Sequence, residues 1–333
     1  MHGWPPVVES RRLREERDDT EAQRRRGFLM FSQAPAMKAS VPPGRLESAT
    51  ACRTNGNENQ TAAHGTRRGF AVALGMLSSA SRASAATEDE MASVKQHYDD
   101  HLGPIYSWMI GDFDAAMEAA RRELAIANIS GGAGRAAVDL GSGPGVHAIV
   151  LAEAGYAVTA IDTCAPLLDE LQARAGRLAI RCVHDDLLRM RHHCESPVDL
   201  VTCMGDTLTH LPSPAAVEDL FATIAGLLKP GGMFMATFRD YSGPAPDGIH
   251  RLIPVRQDDR RILTCVLEYH DTTITVYDAL HARTDTGWHF SVSGYSKLRL
   301  SPAWVVSALS RLGLVPAADI VGRGMIRVCA RPL

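Results

Sequence analysis

From residue 91 onward, the chain alternates short apolar runs with stretches whose apolar positions recur at helical spacing. The strand-like runs cover residues 138–140, 157–162, 179–183, 198–204 and 233–238, and helical faces fall between them. Strands that alternate with helices in this way predict an α/β fold, in which a doubly wound, mostly parallel sheet carries helices on both faces.

Beyond the fifth strand, the hydrophobic pattern changes from mixed periods to a period of two. Residues 260–269, 272–280 and 288–295 alternate apolar with polar side chains, and turn-forming residues separate the runs. The pattern predicts a small antiparallel insertion of about three strands within residues 241–300.

The C-terminal residues are expected to complete the main sheet. Ser301 and Pro302 are suited to open a last helix. Residues 314–320 and 325–330 should then form a hairpin that supplies an antiparallel edge strand. The prediction is therefore a seven-stranded, mostly parallel, doubly wound sheet with an antiparallel terminal strand.

Helical stretches also precede the first strand. Residues 94–110 are rich in aromatic side chains, and Pro104 follows a break where it can open a second helix. Residues 113–128 have a rough helical face of apolar side chains.

Residues 1–90 differ in composition from the rest of the chain. Residues 1–66 combine arginine clusters with Pro, Gly, Ser and Asn and have no sustained hydrophobic period, so disorder is expected. Residues 66–86 resemble a twin-arginine export signal or an organellar presequence. The alternative is an upstream extension with Met91 as the true start, and on either interpretation the folded domain spans 91–333.

Charge and cysteine content narrow the function classes. Residues 1–86 carry thirteen Lys/Arg and eight Asp/Glu, whereas residues 87–333 carry twenty-two and thirty. An acidic main body argues against a nucleic-acid partner, because phosphate binding requires a basic face. No apolar run approaches the length of a membrane-spanning helix. The seven cysteines include no C-x-x-C pair, which favours reduced thiols in the cytoplasm or in an organelle stroma or matrix.

A glycine-rich turn follows the first predicted strand. Asp139, Gly141, Gly143 and Gly145 form the pattern Asp-x-Gly-x-Gly-x-Gly directly before a helix. Glycines there permit positive φ and close backbone approach to a ligand, and the helix N-terminus favours an anionic or polar group. Val146 stands where a dinucleotide-binding fingerprint has its third glycine or alanine, which argues against a nicotinamide cofactor.

Further signals lie at the ends of the later strands. Asp162 is placed after the second strand, where a carboxylate can accept both ribose hydroxyls of an adenosine. Asp185 and Asp186 follow the third strand, and Pro230–Gly231–Gly232 turns the chain into the fifth.

Together these motifs resemble those of the class I S-adenosylmethionine (SAM)-dependent methyltransferases over residues 94–333, in particular the branch that contains glycine and other small-molecule N-methyltransferases. The resemblance implies SAM as cofactor, Asp186 or Asp185 against the adenine amino group, the N-terminal helices as a lid, and the insertion as a roof over the acceptor. The cofactor-binding residues that it implies are Tyr98, Asp139, Gly141, Ser142, Gly143, Gly145, Asp162, Thr163, Asp185, Asp186, Leu187, Met204 and Gly205.

Four side chains are the first candidates for contacts with the acceptor, and the further candidates are Asp206, Asp240, Tyr98 and His101. His210 follows the fourth strand and can serve as a base or orienting group, or can simply cap a helix or face solvent. Arg239 can bind an acceptor carboxylate or pair with a neighbouring acid. Tyr106 and Tyr241 complete the set. No metal site is expected, since the His184–Asp186 and His192–His193 clusters lack further ligands at suitable spacing.

The resulting hypothesis is methyl transfer to an N, O or S nucleophile of a small-molecule acceptor by in-line displacement. Three alternatives remain open: a protein-directed methyltransferase, a non-catalytic SAM-binding scaffold and an NAD-dependent dehydrogenase. Neither a nucleic-acid nor a membrane partner is expected. The sequence does not determine the acceptor, the oligomeric state or the need for a general base.

Overall fold

A computed structural model describes residues 91–131, 133–194, 196–321 and 325–333. These residues belong to one compact unit, Ala73–Leu333. The extension expected over residues 1–90 lies outside the described residues. Among the helices of the described ranges, none is long and apolar enough to cross a membrane.

The strands of the described chain form two sheets. In chain order they are β1 Ala136–Leu140, β2 Ala157–Asp162, β3 Ile180–His184, β4 Val198–Cys203, β5 Leu228–Arg239, β6 Leu252–Gln257, β7 Arg261–Tyr269, β8 Thr273–Thr284, β9 Gly287–Leu298, β10 Leu314–Val321 and β11 Met325–Pro332. The helices are α1 Val94–His97, α2 Gly103–Ile110, α3 Phe113–Ile126, α4 Val146–Glu153, α5 Ala165–Ala175, α6 Pro214–Leu227 and α7 Pro302–Arg311.

The main sheet has seven strands in the order β10-β11-β5-β4-β1-β2-β3. Strands β1 to β5 pair in parallel, and β11 pairs antiparallel with both β5 and β10. The predicted α/β fold is confirmed. Strand β11 lies between β5 and β10, so the predicted terminal hairpin supplies both the antiparallel terminal strand β11 and the edge strand β10.

Helices cover both faces of the main sheet, as a doubly wound fold requires. Helices α6 and α7 bury Phe221, Ile224 and Leu309 on one face. Helices α3, α4 and α5 bury Leu124 and Leu171 with their neighbours on the other. Burial on both faces explains why the central strands read as continuous apolar runs rather than as alternating ones.

The ends of α6 and α7 follow from local sequence. Ser213 accepts a hydrogen bond from the backbone N–H of Ala216, and Ser301 accepts one from Trp304. A proline occupies the first turn in both helices, where its missing N–H has no partner to lose. The predicted starts of both helices are therefore confirmed.

The second sheet is antiparallel, with the order β6-β7-β8-β9. It has four strands where the period-two pattern predicted about three. The missed strand, β6, is exposed along its whole length and lacks the alternation that marked the others. Pro254 and a register shift interrupt its pairing with β7, which explains its weak sequence signal.

The break expected before Pro104 is absent. A π-helical turn, Tyr98–Leu102, joins α1 to α2 without interruption. Because π turns widen a helix locally and recur at functional sites, the segment is of interest for what its side chains contact.

Candidate functional site

The glycine loop after β1 adopts the strained backbone that its sequence predicts. Gly141, Gly143 and Gly145 have φ of +66°, +52° and +93°, in the left-handed region. A Cβ added at Gly141 would lie 2.4 Å from Thr207 Cγ2, and one at Gly145 would lie 2.1 Å from Leu171 Cδ1. Packing as well as backbone conformation therefore demands glycine at these two positions.

The carboxylate of Asp162 ties this loop to the end of β2. Its Oδ2 accepts a hydrogen bond from the Gly143 backbone N–H at 2.7 Å, and its Oδ1 accepts one from Cys164 at 2.8 Å. Burial raises the pKa of Asp162 above its ordinary value, although these backbone donors oppose the shift. Each carboxylate oxygen has a second lone pair, so the group can still accept ligand hydroxyls.

A cleft of about 910 Å³ opens at the carboxyl ends of β1 to β4. Parallel sheets of this type bind ligands at that edge. Twelve of the residues predicted from the sequence line the cleft: Tyr98, Tyr106, Gly141, Gly143, Asp162, Thr163, Asp185, Asp186, Leu187, Met204, Gly205 and His210.

The two acids after β3 have different bonding. Asp185 uses both carboxylate oxygens, which contact His193 Nε2 at 2.7 Å and the Asp186 backbone N–H at 2.9 Å. The His193 contact lowers the pKa of Asp185. Asp186 uses only Oδ1, which accepts the Leu188 backbone N–H at 2.9 Å. Asp186 therefore has the greater capacity for a ligand.

Two buried polar atoms next to the loop lack protein partners within the described chain, namely Asp139 Oδ2 and Ser142 Oγ. The other Asp139 oxygen accepts a hydrogen bond from Thr202 Oγ1 at 2.7 Å, and burial raises the pKa of Asp139. Buried polar groups are nearly always satisfied, so both atoms are suited to a polar group of a bound molecule.

Comparison with known proteins decides the family. Residues 137–232 match a family model described as a methyltransferase domain. The chain carries a class I SAM-dependent methyltransferase domain. The prediction made from the motifs is thereby confirmed, and SAM is the cofactor of this family.

Two curated relatives illustrate the similarity. The domain is 31% identical over 106 residues to a glycine/sarcosine N-methyltransferase of Aphanothece halophytica, a match over 31% of this chain and 40% of that protein. It is 32% identical over 162 residues to a cypemycin N-terminal methyltransferase of a Streptomyces species, over 43% and 64%. The chain thus matches less than two thirds of the length of either relative.

Solved structures show the same fold. The SAM-bound amino pentose methyltransferase CalS10 of Micromonospora echinaspora aligns with a TM-score of 0.57 at 16% identity, over 70% of this chain and 97% of that one. The residues of the cleft fit SAM, because they offer hydrogen-bond partners for its polar groups. These partners are the backbone of the glycine loop, the carboxylates of Asp162 and Asp186, and the two unpartnered polar atoms of Asp139 and Ser142.

One end of the methyltransferase cleft is aromatic, and we name it the acceptor end for its proposed role. Tyr98 and Tyr106 line it from the N-terminal helices, with ring centroids 5.9 Å apart. Burial raises the pKa of Tyr106 to about 12 and that of Tyr98 well above its usual value, so both hydroxyls remain protonated donors. A Cβ on Gly143 would lie 3.7 Å from Tyr106 Cε1, which places this ring directly over the glycine loop.

His210 lies at the same end, between the rings of Tyr98 and Tyr295. Its ring centroid is 5.7 Å from that of Tyr98 and 5.5 Å from that of Tyr295. The His210 Nε2 atom is buried and has no partner among the described residues. Burial, together with the positive charge of Lys297 and the proximity of His97, lowers the pKa of His210 well below its ordinary value. The imidazole is therefore neutral at pH 7.

A buried ion pair lies behind His210, and sequence reasoning missed half of it. Lys297 on β9 donates to Asp206 Oδ2 at 2.7 Å, and both side chains are at most one tenth exposed. Burial disfavours the charge of Lys297, but attraction to Asp206 outweighs it and raises the pKa of Lys297. A lysine in a period-two strand is ordinarily a solvent-facing residue, so nothing in the local pattern marked it.

A buried hydrogen bond between His97 and Asp278 connects α1 to the insertion. His97 contacts Asp278 Oδ2 at 3.1 Å and Ser293 Oγ at 2.9 Å, and neither His97 nor Asp278 is appreciably exposed. His101, from the π-helical turn, contacts the Asp278 carbonyl at 2.8 Å. The π turn therefore attaches the N-terminal helices to β8 and β9.

The remaining predicted site residues do not line the cleft. Asp139, Ser142 and Gly145 lie in the strand end and loop beside the cleft-lining Gly141 and Gly143. Tyr241 is buried, and its hydroxyl lies 3.3 Å from Asp206 Oδ2. Arg239 is at the surface, and its backbone N–H donates to Asp206 Oδ1 at 2.9 Å. Both residues thus meet the buried acid rather than the cleft.

Proposed function

We propose that the protein transfers the methyl group of SAM to a nitrogen, oxygen or sulfur atom of a small-molecule acceptor by in-line displacement. One observation carries the proposal: a single cleft joins the glycine loop to the unpartnered Nε2 of His210. Bound SAM supplies a methyl group on a positively charged sulfur, which leaves as a neutral thioether. The protein therefore needs alignment and exclusion of water more than a nucleophile.

At the cofactor end, Asp162 would bind the ribose hydroxyls and Asp186 the adenine amino group. Asp139, Ser142 and the glycine backbone would hold the amino-acid end. Rigid backbone donors already fix the Asp162 carboxylate, so little side-chain freedom is lost when a ligand binds.

At the acceptor end, His210 is proposed to accept a hydrogen bond from the N–H or O–H that is to be methylated. A neutral imidazole can orient that group and can take its proton as the new bond forms. Tyr98 and Tyr106 would position the acceptor through their protonated hydroxyls and exclude water. Arg239 and Tyr241 would act indirectly, through Asp206.

The domain assignment extends this proposal. Residues 91–333 would form the catalytic domain, and the insertion, 241–300, would roof the acceptor site, which favours small acceptors. Residues 1–90 would be an extension outside the catalytic domain. We propose a cytoplasmic location, where SAM is made, and neither a nucleic-acid nor a membrane partner.

A second candidate acceptor is the amino terminus of a peptide. The match to the cypemycin N-terminal methyltransferase covers 64% of that protein, a larger share than the 40% covered of the glycine/sarcosine enzyme. A free peptide amine presents the same N–H group to His210 as a small amine does.

The test is an S-adenosylhomocysteine-release assay of the purified full chain with SAM. The acceptor panel should contain amines, amino acids, phenols, thiols and short peptides with free amino termini. We expect turnover with at least one class and its loss in His210→Asn, with SAM affinity unchanged. SAM binding without release for any acceptor would indicate a non-catalytic SAM-binding protein, and binding of NAD instead of SAM would indicate a dehydrogenase.

A further inference from the structure

The acceptor end of the cleft is a wall of aromatic rings that contact one another. The ring centroid of Tyr98 lies 5.9 Å from that of Tyr106, 5.7 Å from that of His210 and 6.4 Å from that of Tyr295. Tyr98, Tyr106 and His210 line the cleft directly. Because aromatic rings pack well against other rings in offset or edge-to-face arrangements, this wall is suited to a planar aromatic ligand.

Apolar side chains continue the wall beside these rings. Leu211 and Pro212 follow His210 in the chain and also line the cleft. Val94, at the start of α1, lines the cleft and packs against the cluster that contains Tyr295. A wall of this composition favours a ligand whose body is apolar over one that carries many hydroxyl groups, because each buried hydroxyl requires a hydrogen-bond partner.

The charged side chains along the cleft are mostly acidic. Among the described lining residues, Asp162, Asp185 and Asp186 are acids and Lys95 is the one cation. Lys95 is paired with Asp99, and its side chain is 53% exposed. An acceptor carboxylate would therefore find no unpaired cation in this lining, and burial of an unpaired charge is costly.

Two further basic side chains near this end do not line the cleft. Lys297 is already paired with Asp206 at 2.7 Å, and Arg239 lies at the surface. An acceptor carboxylate held at His210 would therefore lack the arginine that the sequence suggested for it.

The neutral imidazole of His210 also restricts the acceptor. An aliphatic amine is protonated at pH 7, as a lysine side chain is, and then has no lone pair for the methyl group. His210 is a poor base for that proton, because burial and the charge of Lys297 lower its pKa. A phenol or an aryl amine is uncharged at pH 7 and can donate its O–H or N–H to Nε2 without a prior proton transfer.

We propose that the acceptor is an uncharged aromatic molecule, a phenol or an aryl amine, that carries no carboxylate. This acceptor class depends on the methyl transfer proposed above. The acceptor oxygen or nitrogen forms a bond to the methyl carbon as the carbon–sulfur bond breaks, and the sulfur keeps that electron pair. The proton of the acceptor passes to Nε2 of His210 and then to water.

Matched acceptors that differ by one carboxylate test the proposal. Release of S-adenosylhomocysteine by the full chain with SAM is measured for p-cresol against p-hydroxybenzoate and for p-toluidine against p-aminobenzoate. We expect kcat/KM to be at least about 30-fold higher for the uncharged member of each pair, because the carboxylate would lose its hydration without gaining a partner. Glycine, benzylamine and glucosamine represent amino acids, aliphatic amines and amino sugars, and each should have a lower kcat/KM than p-toluidine.

A charge placed in the wall separates the effect of charge from that of shape. Val94→Arg adds a guanidinium beside the acceptor end and should reduce the preference for p-cresol over p-hydroxybenzoate by at least about tenfold. Val94→Gln is the matched control, since it lengthens the same side chain without a charge and should leave the ratio of the two kcat/KM values close to that of the wild type. Titration calorimetry with SAM verifies that both variants are folded, and the wild-type ratios decide the proposal if Val94→Arg is not.

The possible outcomes separate this acceptor class from the methyl transfer itself. Use of p-hydroxybenzoate or glycine as efficiently as the uncharged aryl acceptors would overturn the acceptor class. A preference for benzylamine, glucosamine or a peptide amine, or equal changes of the ratio in Val94→Arg and Val94→Gln, would also overturn it. Each of these results includes release of S-adenosylhomocysteine and so leaves methyl transfer standing, whereas SAM binding without release for any acceptor would contradict the proposed function.

Discussion

The two ends of the methyltransferase cleft are built in different ways. The cofactor end comes from three short segments, residues 139–145, 162–163 and 185–187, each at the carboxyl end of a parallel strand. The acceptor end gathers Tyr98, His210 and Tyr295 from three distant parts of the chain, backed by a buried ion pair and a buried hydrogen bond that span 91 and 181 residues in sequence. Local sequence determines the first end, and tertiary packing determines the second.

The difference predicts that the two ends depend on different interactions. Backbone geometry and the acids at the strand ends should govern SAM affinity. Buried charge should govern the stability and the protonation state of the acceptor end.

Lys297→Met should be the most damaging change. It leaves the Asp206 charge buried without its partner, and such losses cost about 3–5 kcal/mol of unfolding free energy. Lys229→Met is the matched control. It removes the ion pair between Lys229 and Asp199, whose N–O distance is 2.8 Å against 2.7 Å for Lys297 and Asp206. Because Lys229 is 39% exposed, its loss should cost about 1 kcal/mol or less of unfolding free energy. Urea denaturation measures both values, and equal losses would contradict the assignment of a buried ion pair.

Asp162→Ala should weaken SAM binding by roughly 100-fold, because hydrogen bonds to a charged group contribute about 1.5–3 kcal/mol each. Titration calorimetry provides the measurement. Asp162→Asn is the control, since the amide oxygen can still accept one backbone N–H. Unchanged affinity in Asp162→Ala would remove the ribose role from this residue.

His210 should make stability depend on pH. Its pKa is lower in the folded state than in the unfolded state, so the unfolded chain binds more protons below about pH 6.5 and stability falls as pH falls. At pH 5.5 the loss from this one group approaches about 1.4 kcal/mol. His210→Asn should reduce the difference in unfolding free energy between pH 7.5 and 5.5 by a comparable amount. If the wild type and His210→Asn lost the same unfolding free energy between pH 7.5 and 5.5, His210 would have to be in contact with solvent.

Asp186→Asn should have the smallest effect, a decrease in SAM affinity of about three- to tenfold, because one hydrogen bond to the adenine amino group is at stake. Asp185→Asn is its comparison. Since Asp185 already contacts His193, its loss should change affinity less. The reverse order would transfer the adenine role to Asp185.

The same contrast explains what could be predicted from sequence. Gly141, Gly143 and Gly145 carry their own conformational signal, and Asp162 and Asp186 stand at fixed distances from strands that hydrophobicity reveals. Ser213 and Ser301 mark helix starts by the same local logic. The conformation or position of these residues could be predicted because it depends on their immediate neighbours in the chain, whereas their roles toward SAM stay predictions.

Prediction failed where the role depends on burial by distant elements. Lys297 and Asp278 look like ordinary polar positions of alternating strands, and only the packing of the insertion against α1 and the residues after β4 buries them. Arg239 and Tyr241 were chosen for proximity to a strand end, yet they meet Asp206 rather than the cleft. Strand β6 was missed because exposed strands have little hydrophobic pattern.

The insertion has one further consequence, because strand β9 makes two separate contacts. Ser293 of β9 contacts His97 of α1, and Lys297 of the same strand pairs with Asp206. The N-terminal helices and the buried ion pair are therefore joined through one strand. A variant that loosens this strand should lower the rate of methyl transfer and leave SAM affinity, which depends on the other end of the cleft, unchanged.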